Sequence, residues 1–238
     1  MPPPPPAAPG PAEPAPGWLA REVEQEFPDL CLLVAEVHHT RREPLTASSP
    51  PDIETRMREM SNRFRGGRAV GVRREPITAA YRIFFRQIGM DPDVQRTPIE
   101  AAIMERMLRG GFPTGGLIED VLLIALLETG VLVGALDAHS LDGPLGIRTS
   151  TEGETLGRGR GGLGRSPGPT LLPAGRLVVA DAAGAVAVLF GEVAPAHRPG
   201  PQSTRVALFA VRVGGVPALY AEEALWSAEA ALRTPARA

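Results

Sequence analysis

At Gly130 the hydrophobic period of the chain changes, and this switch limits the fold more than any other feature. Before it, apolar residues recur every three to four positions, the spacing of one helix face. After it, short β-branched runs are split by turn residues. A chain that is helical first and strand-rich second buries both kinds of apolar surface by packing helices on one face of a mostly antiparallel sheet. The expected class is therefore α+β.

In the helical part, residues 52–65 put Ile53, Met57, Met60 and Phe64 on one stripe that Gly66-Gly67 ends. Residues 75–88 carry a wide apolar face of Ile77, Tyr81, Phe84, Phe85 and Ile88, stopped at Gly89. Thr97-Pro98-Ile99-Glu100 is a capping box with proline at the first helical position, where its missing N–H costs nothing. Ile99, Ile103 and Met107 follow as one stripe up to Gly110-Gly111. Residues 117–129 are apolar nearly all round after Glu119-Asp120, which predicts a buried helix. Upstream, 18–27 is a short amphipathic opening, 30–37 (LCLLVAEV) has strand length, and 46–51 is a loop.

Beyond Gly130 the expected strands are 131–137, 146–149, 176–181, 185–190 and 205–213, with a hairpin turn at 181–184 and a closing helix at 218–232. Residues 1–17 hold nine of the 26 prolines and read as a disordered or polyproline-like tail. That leaves 18–238 as a single domain, long enough to bury about 70% of its unfolded surface without staples.

All 25 basic residues are arginine, and the absence of lysine removes P-loop, Schiff-base and lysine general-base chemistry. The lone cysteine, Cys31, leaves no internal disulfide and no multi-cysteine zinc site, and it fits a reducing cytoplasm. The longest apolar run, 117–127, is interrupted by Glu119 and Asp120 and falls short of the ~20 residues of a membrane span. The N-terminus has no basic-then-apolar signal pattern. The expectation is a cytoplasmic protein with no membrane, metal or cofactor. Charge is uneven: net −5 over 1–40, +5 over 41–109 and −2 over 110–238. The middle stretch fits either an anionic partner or a solvated helical surface.

Gly159-Arg-Gly-Gly-Leu-Gly164 satisfies G-x-G-x-x-G, but Pro167 and Pro169 follow, so no helix starts there to hold a dinucleotide phosphate. It reads as a mobile hairpin loop, or as a phosphate-touching loop bearing Arg158, Arg160 and Arg165. The histidines are 38, 39, 139 and 197. His38 and His39 point to opposite faces of a strand, and His139 sits in a turn near carboxylates. Any of the four can be a base near neutral pH, but with no positioned nucleophile each reads as a surface or turn histidine. No G-x-S-x-G elbow, HExxH helix or EF-hand pattern occurs.

Taken in order, residues 113–204 resemble the aminoacyl-tRNA editing module of the phenylalanyl-tRNA synthetase β subunit, its B-three/B-four domain, and the free-standing proteins similar to it. The resemblance rests on Pro113, Gly116, Asp120 and the apolar helix, Glu128-Thr-Gly130, and Leu132-Val-Gly134-Ala-Leu-Asp137. It continues through Gly143, Ile147-Arg148, Glu152-Gly-Glu154-Thr-Leu156, Leu177–Asp181, Gly184, Val186–Gly191 and Thr204. Tyr81-Arg82, Gly89-Met-Asp-Pro92 and the helix 100–109 look like the leading helices of the free-standing relatives.

The resemblance implies a helix-on-sheet editing fold that binds tRNA or other RNA and hydrolyses a mischarged aminoacyl ester in trans. It implies a cleft at Gly134, Asp137, His197 and Thr204 for a small amino-acid-like ligand. His197 would hold the water and backbone N–H groups near Gly134 would steady the oxyanion. Arg158, Arg160 and Arg165 would face RNA. The chain departs from the family where a pocket histidine and a pocket glutamate would stand, at Gly134 and His197, and the helix asparagine is Leu123. It has no room for an ATP-using catalytic domain and is not expected to charge tRNA by itself. The alternative is a metabolite- or protein-binding module on the same scaffold, with the editing pocket lost.

Overall fold

The computed structural model describes residues 13–157 and 170–233. In chain order it begins with β1 (Ala15–Pro16), β2 (Trp18–Leu19), α1 (Arg21–Glu26) and β3 (Cys31–His38). Then come α2 (Pro51–Arg63), α3 (Gly67–Gly71), α4 (Pro76–Gln87), α5 (Pro98–Arg109) and α6 (Leu117–Thr129). Past Gly130 it forms β4 (Val133–Asp137), β5 (Gly146–Thr149), β6 (Thr155–Leu156), β7 (Thr170–Leu171), β8 (Leu177–Ala180), β9 (Ala185–Val188) and β10 (Arg205–Arg212). It closes with α7 (Ala218–Arg233). The class is α+β, and the change at Gly130 falls where α6 stops. Gly130 takes a left-handed φ of 77° there, a conformation glycine adopts without penalty.

α6 explains why a helix can be apolar on every side. One side, with Leu117, Val121, Ile124 and Ala125, joins the main core. Leu126 and Leu127 on another side pack with Met60, Phe64, Ile99 and Ile103 of the α2–α5 region. A helix between two apolar clusters gives water little beyond Glu119 and Glu128. α5 begins as its sequence requires, with Pro98 at the first position and Glu100 Oε2 accepting from Thr97 N at 3.2 Å.

The strands depart from the expected single sheet. There are two four-stranded sheets and a two-stranded one. The first runs β1-β3-β10-β4, antiparallel throughout. The second runs β2-β5-β8-β9, with β2 and β5 parallel. The third is β6-β7. α6 and α7 pack on the first sheet, whose central β10 is buried from Val206 to Val211. In the second sheet Ile147, Val179 and Ala187 stand side by side and enter the main core. Val178, Ala180 and Ala185 on its other face pack with Leu156, Leu172 and Ala194.

The expected tail reaches too far. Ala15 and Pro16 pair with Val34 and Leu33 of the first sheet, while Trp18 and Leu19 pair into the second. Gly17 makes the crossing, donating its N–H to Leu32 O at 2.8 Å. An added Cβ would lie 2.8 Å or less from Leu145 O and Leu32 Cδ2, so no side chain fits.

α4 fastens the helices to the sheets. The Tyr81 hydroxyl donates to Val211 O at 2.5 Å, and burial pushes its pKa up. The Phe190 ring lies 5.2–5.9 Å from Tyr81, Phe84 and Phe85. Phe190 holds φ 56°, a left-handed conformation that costs a non-glycine residue about 1–2 kcal/mol. Aromatic pairs worth about 0.5–1.5 kcal/mol each offset it.

Candidate functional site

β4 ends at Asp137 and runs into a 3-10 turn, Ala138–Ser140. The turn 181–184 joins β8 to β9, and a second 3-10 turn, Pro195–His197, follows β9. These segments line a cavity of about 460 Å³ that includes His139, Ser140, Asp142, Asp181, Gly184 and His197.

Asp181 builds the cavity wall. Its Oδ1 accepts from Ala183 N at 2.8 Å and Gly184 N at 3.0 Å, and its Oδ2 accepts from Asp142 N at 2.8 Å. Asp137 has a similar role on the neighbouring turn. Its Oδ2 accepts from Ser203 Oγ at 2.6 Å, and its Oδ1 accepts from His139 N at 3.0 Å and lies 3.3 Å from His139 Nδ1. Burial raises the Asp137 pKa, but the hydrogen bonds from Ser203 and His139 outweigh it and hold the carboxyl below its usual value.

His197 is half-buried, with Nδ1 2.9 Å from Ser140 Oγ. The single Ser140 hydroxyl proton is donated to Asp137 O at 2.7 Å. Nδ1 must therefore be the donor to Ser140, and Nε2 carries the lone pair. Burial lowers the His197 pKa, opposed by the charges of Asp181 and Asp137 and by a hydrogen bond to the Ser140 backbone. The net direction is downward, so His197 is neutral at neutral pH and can accept a proton. Ser140, with its proton already committed, is an orienting group and not a nucleophile.

The four residues read from the sequence as one cleft are not brought together. His197 lines the cavity, and Asp137 reaches it through His139 and Ser140. Gly134 lies on β4 opposite Phe209, outside the cavity, and an added Cβ would come within 2.8 Å of three atoms of the Phe209 ring. The aromatic ring of the neighbouring strand occupies the space that a side chain at 134 would need, so backbone groups near Gly134 have no oxyanion to steady. Thr204 is exposed and uses its carbonyl to accept from His39 N at 2.9 Å; its buried neighbour Ser203 makes the bond to Asp137. No α6 residue lines the cavity. Arg158, Arg160 and Arg165 lie outside the described residues.

Gly134→Ala is expected to destabilise the protein by about 1–3 kcal/mol, the usual cost of forcing a carbon into packed space. Thermal melting measures it, and Phe209→Leu in the same chain should return some of the loss. An unchanged melting temperature would show that β4 has room there after all.

Several residues that carry the family resemblance hold the fold. Asp120 accepts from Ser49 Oγ at 2.6 Å and Gly115 N at 2.9 Å. Glu128 takes Arg56 Nε at 3.0 Å, and Glu154 takes Arg148 at 2.8 Å. The Arg148 guanidinium brings the Glu154 pKa down to about 2. Much of the 41–109 arginine excess is committed in the same way. Arg41 pairs with Asp52, Arg82 with Glu100 and Asp93, and Arg106 donates to Ser61 O. Arg42, Arg63, Arg65, Arg74, Arg86 and Arg96 are exposed.

Among the described residues no group of three or more His, Cys, Asp or Glu is placed to hold a metal, and no helix is long and apolar enough to cross a membrane. Compared with known proteins, the chain matches no family model and no curated sequence.

Proposed function

We propose that the chain is a tRNA-facing module of the editing type, with the cavity at His197 receiving the aminoacyl group of a mischarged tRNA. The observation that carries this reading is a neutral, oriented histidine on a cavity large enough for an amino acid. His197 Nε2 takes a proton from a water as the water oxygen bonds to the ester carbonyl carbon. The bond from that carbon to the ribose oxygen breaks, and the imidazolium returns the proton to the leaving oxygen. The products are a free amino acid and an uncharged tRNA. The Asp181 and Asp142 carboxylates beside the cavity suit the α-ammonium of such a group, and arginine supplies phosphate contact in a chain without lysine.

Purified protein offered a panel of mischarged tRNAs is expected to release amino acid faster than buffer does, with tRNA binding that weakens steeply as salt rises. Absence of both deacylation and low-salt tRNA binding would end the reading. A second reading, small-metabolite binding without hydrolysis, is favoured by the Asp142 and Asp181 carboxylates on the cavity and a net charge of −2, which repel a polyanion. It predicts a raised melting temperature with a free amino-acid-like ligand and none with tRNA.

A further inference from the structure

Among the described residues ten large apolar side chains are exposed, and eight of them fall into two groups. The first surrounds a groove of about 460 Å³ between α3 and α5. Val70, Met104 and Met107 line it, and Val94 and Leu108 flank it in sequence. The second is on α7: Leu219, Tyr220 and Trp226, 54%, 39% and 39% exposed. Single exposed apolar residues are ordinary, but two such concentrations on one molecule are the mark of contact surfaces.

The two groups are complementary. The α7 stripe places Leu219, Glu223 and Trp226 at positions i, i+4 and i+7, with Glu222 beside them, on the side of the helix turned away from the sheet. Leu219 and Trp226, two turns apart, have the spacing of the outer anchors of a helix that enters an apolar groove, and Glu222 and Glu223 between them carry the charge. Two exposed methionines, Met104 and Met107, line the groove, and flexible thioethers adapt to large side chains. At its rim Arg73 is held by Glu100 and Asp93, whereas Arg96 is exposed and makes no ion pair among the described residues. Apolar anchors with glutamates thus face methionines with an arginine.

We propose that the α3–α5 groove seats the Leu219–Trp226 stripe of α7 from a second copy of this chain. Each copy carries both halves, so the contact either closes reciprocally into a two-fold dimer or continues head to tail. The proposal is independent of any activity at His197.

Sedimentation velocity on the full chain over about 1–100 µM tests it, since mass action fixes how association grows with concentration. The expected result is a mass above the 25.1 kDa of one chain that rises with concentration. Met107→Arg in the groove and Trp226→Arg on the stripe each replace an exposed residue, so far-UV circular dichroism should stay at wild type. Each variant alone should associate at least about 10-fold more weakly, the scale of losing one anchor residue. Mixing the two variants should restore association, because one intact groove then meets one intact stripe. A monomer throughout the range, association that survives in both variants, or no recovery on mixing would each overturn the proposal.

Discussion

Glu100→Ala is expected to destabilise the protein by about 3 kcal/mol, the lower end of the range for removing one partner of a buried ion pair. Glu100 is 6% exposed and accepts at both oxygens: Arg82 Nη1 at 2.8 Å and Arg73 Nε at 3.1 Å on Oε1, and Thr97 Oγ1 at 2.7 Å on Oε2. Removing it strips the α5 capping box and leaves the buried Arg82 guanidinium with only Asp93 at 2.8 Å and Pro92 O at 3.3 Å. Those remaining bonds keep the cost at the low end. Thermal melting should show a fall of about 6–12 °C for a domain of this size. Arg82→Ala combined with Glu100→Ala should cost less than the sum of the two, because the unpaired charge disappears with its partner. An additive double mutant would mean that the two residues act separately.

The same glutamate shows what the sequence reveals and what it hides. Its capping role was legible, because a capping box is written in four consecutive residues and α5 starts where they stand. Its pairing with Arg82 was not, since that contact joins two helices whose packing no local pattern specifies. The helix–strand boundary at Gly130 and the burial of α6 were legible for the same local reason. The division of strands between two sheets was not. It depends on Gly17 crossing from one sheet to the other and on the β2–β5 parallel register, both set by distant partners. α3 went unseen because a five-residue helix with glycine at both ends has low helix propensity.

At the site, legibility stopped at single residues. Resemblance alone picks His197 from the four histidines, and its orienting partner Ser140 is 57 positions away. Thr204 and Ser203 differ by one place, and in extended chain one place turns a side chain to the other face. Resemblance supplied Thr204, and the structure puts Ser203 on Asp137. Gly134 looked like a lost pocket residue. The register that sets Phe209 opposite it shows a gap already filled.

If ester hydrolysis occurs in the cavity, His197→Ala should lower kcat/KM by about 10²–10⁴-fold, the contribution of a positioned general base, with the fold intact. The wild-type rate should rise with pH as His197 loses its proton. Burial depresses that pKa, so the acid limb should lie below the ordinary histidine value of about 6.5 and activity should be level through neutral pH. Ser140→Ala removes the Nδ1 acceptor, so the ring loses its orientation. It should lower kcat more than it changes KM and move the acid limb, which a purely structural loss would not do. The same depression fixes a stability slope. Below about pH 6.5 the unfolded chain takes up a proton at this histidine before the folded chain does, so stability falls as pH drops through that window toward the folded pKa. His197→Ala should flatten that stretch of the slope. A variant as active as wild type would remove His197 from the chemistry and leave the cavity as a binding site alone.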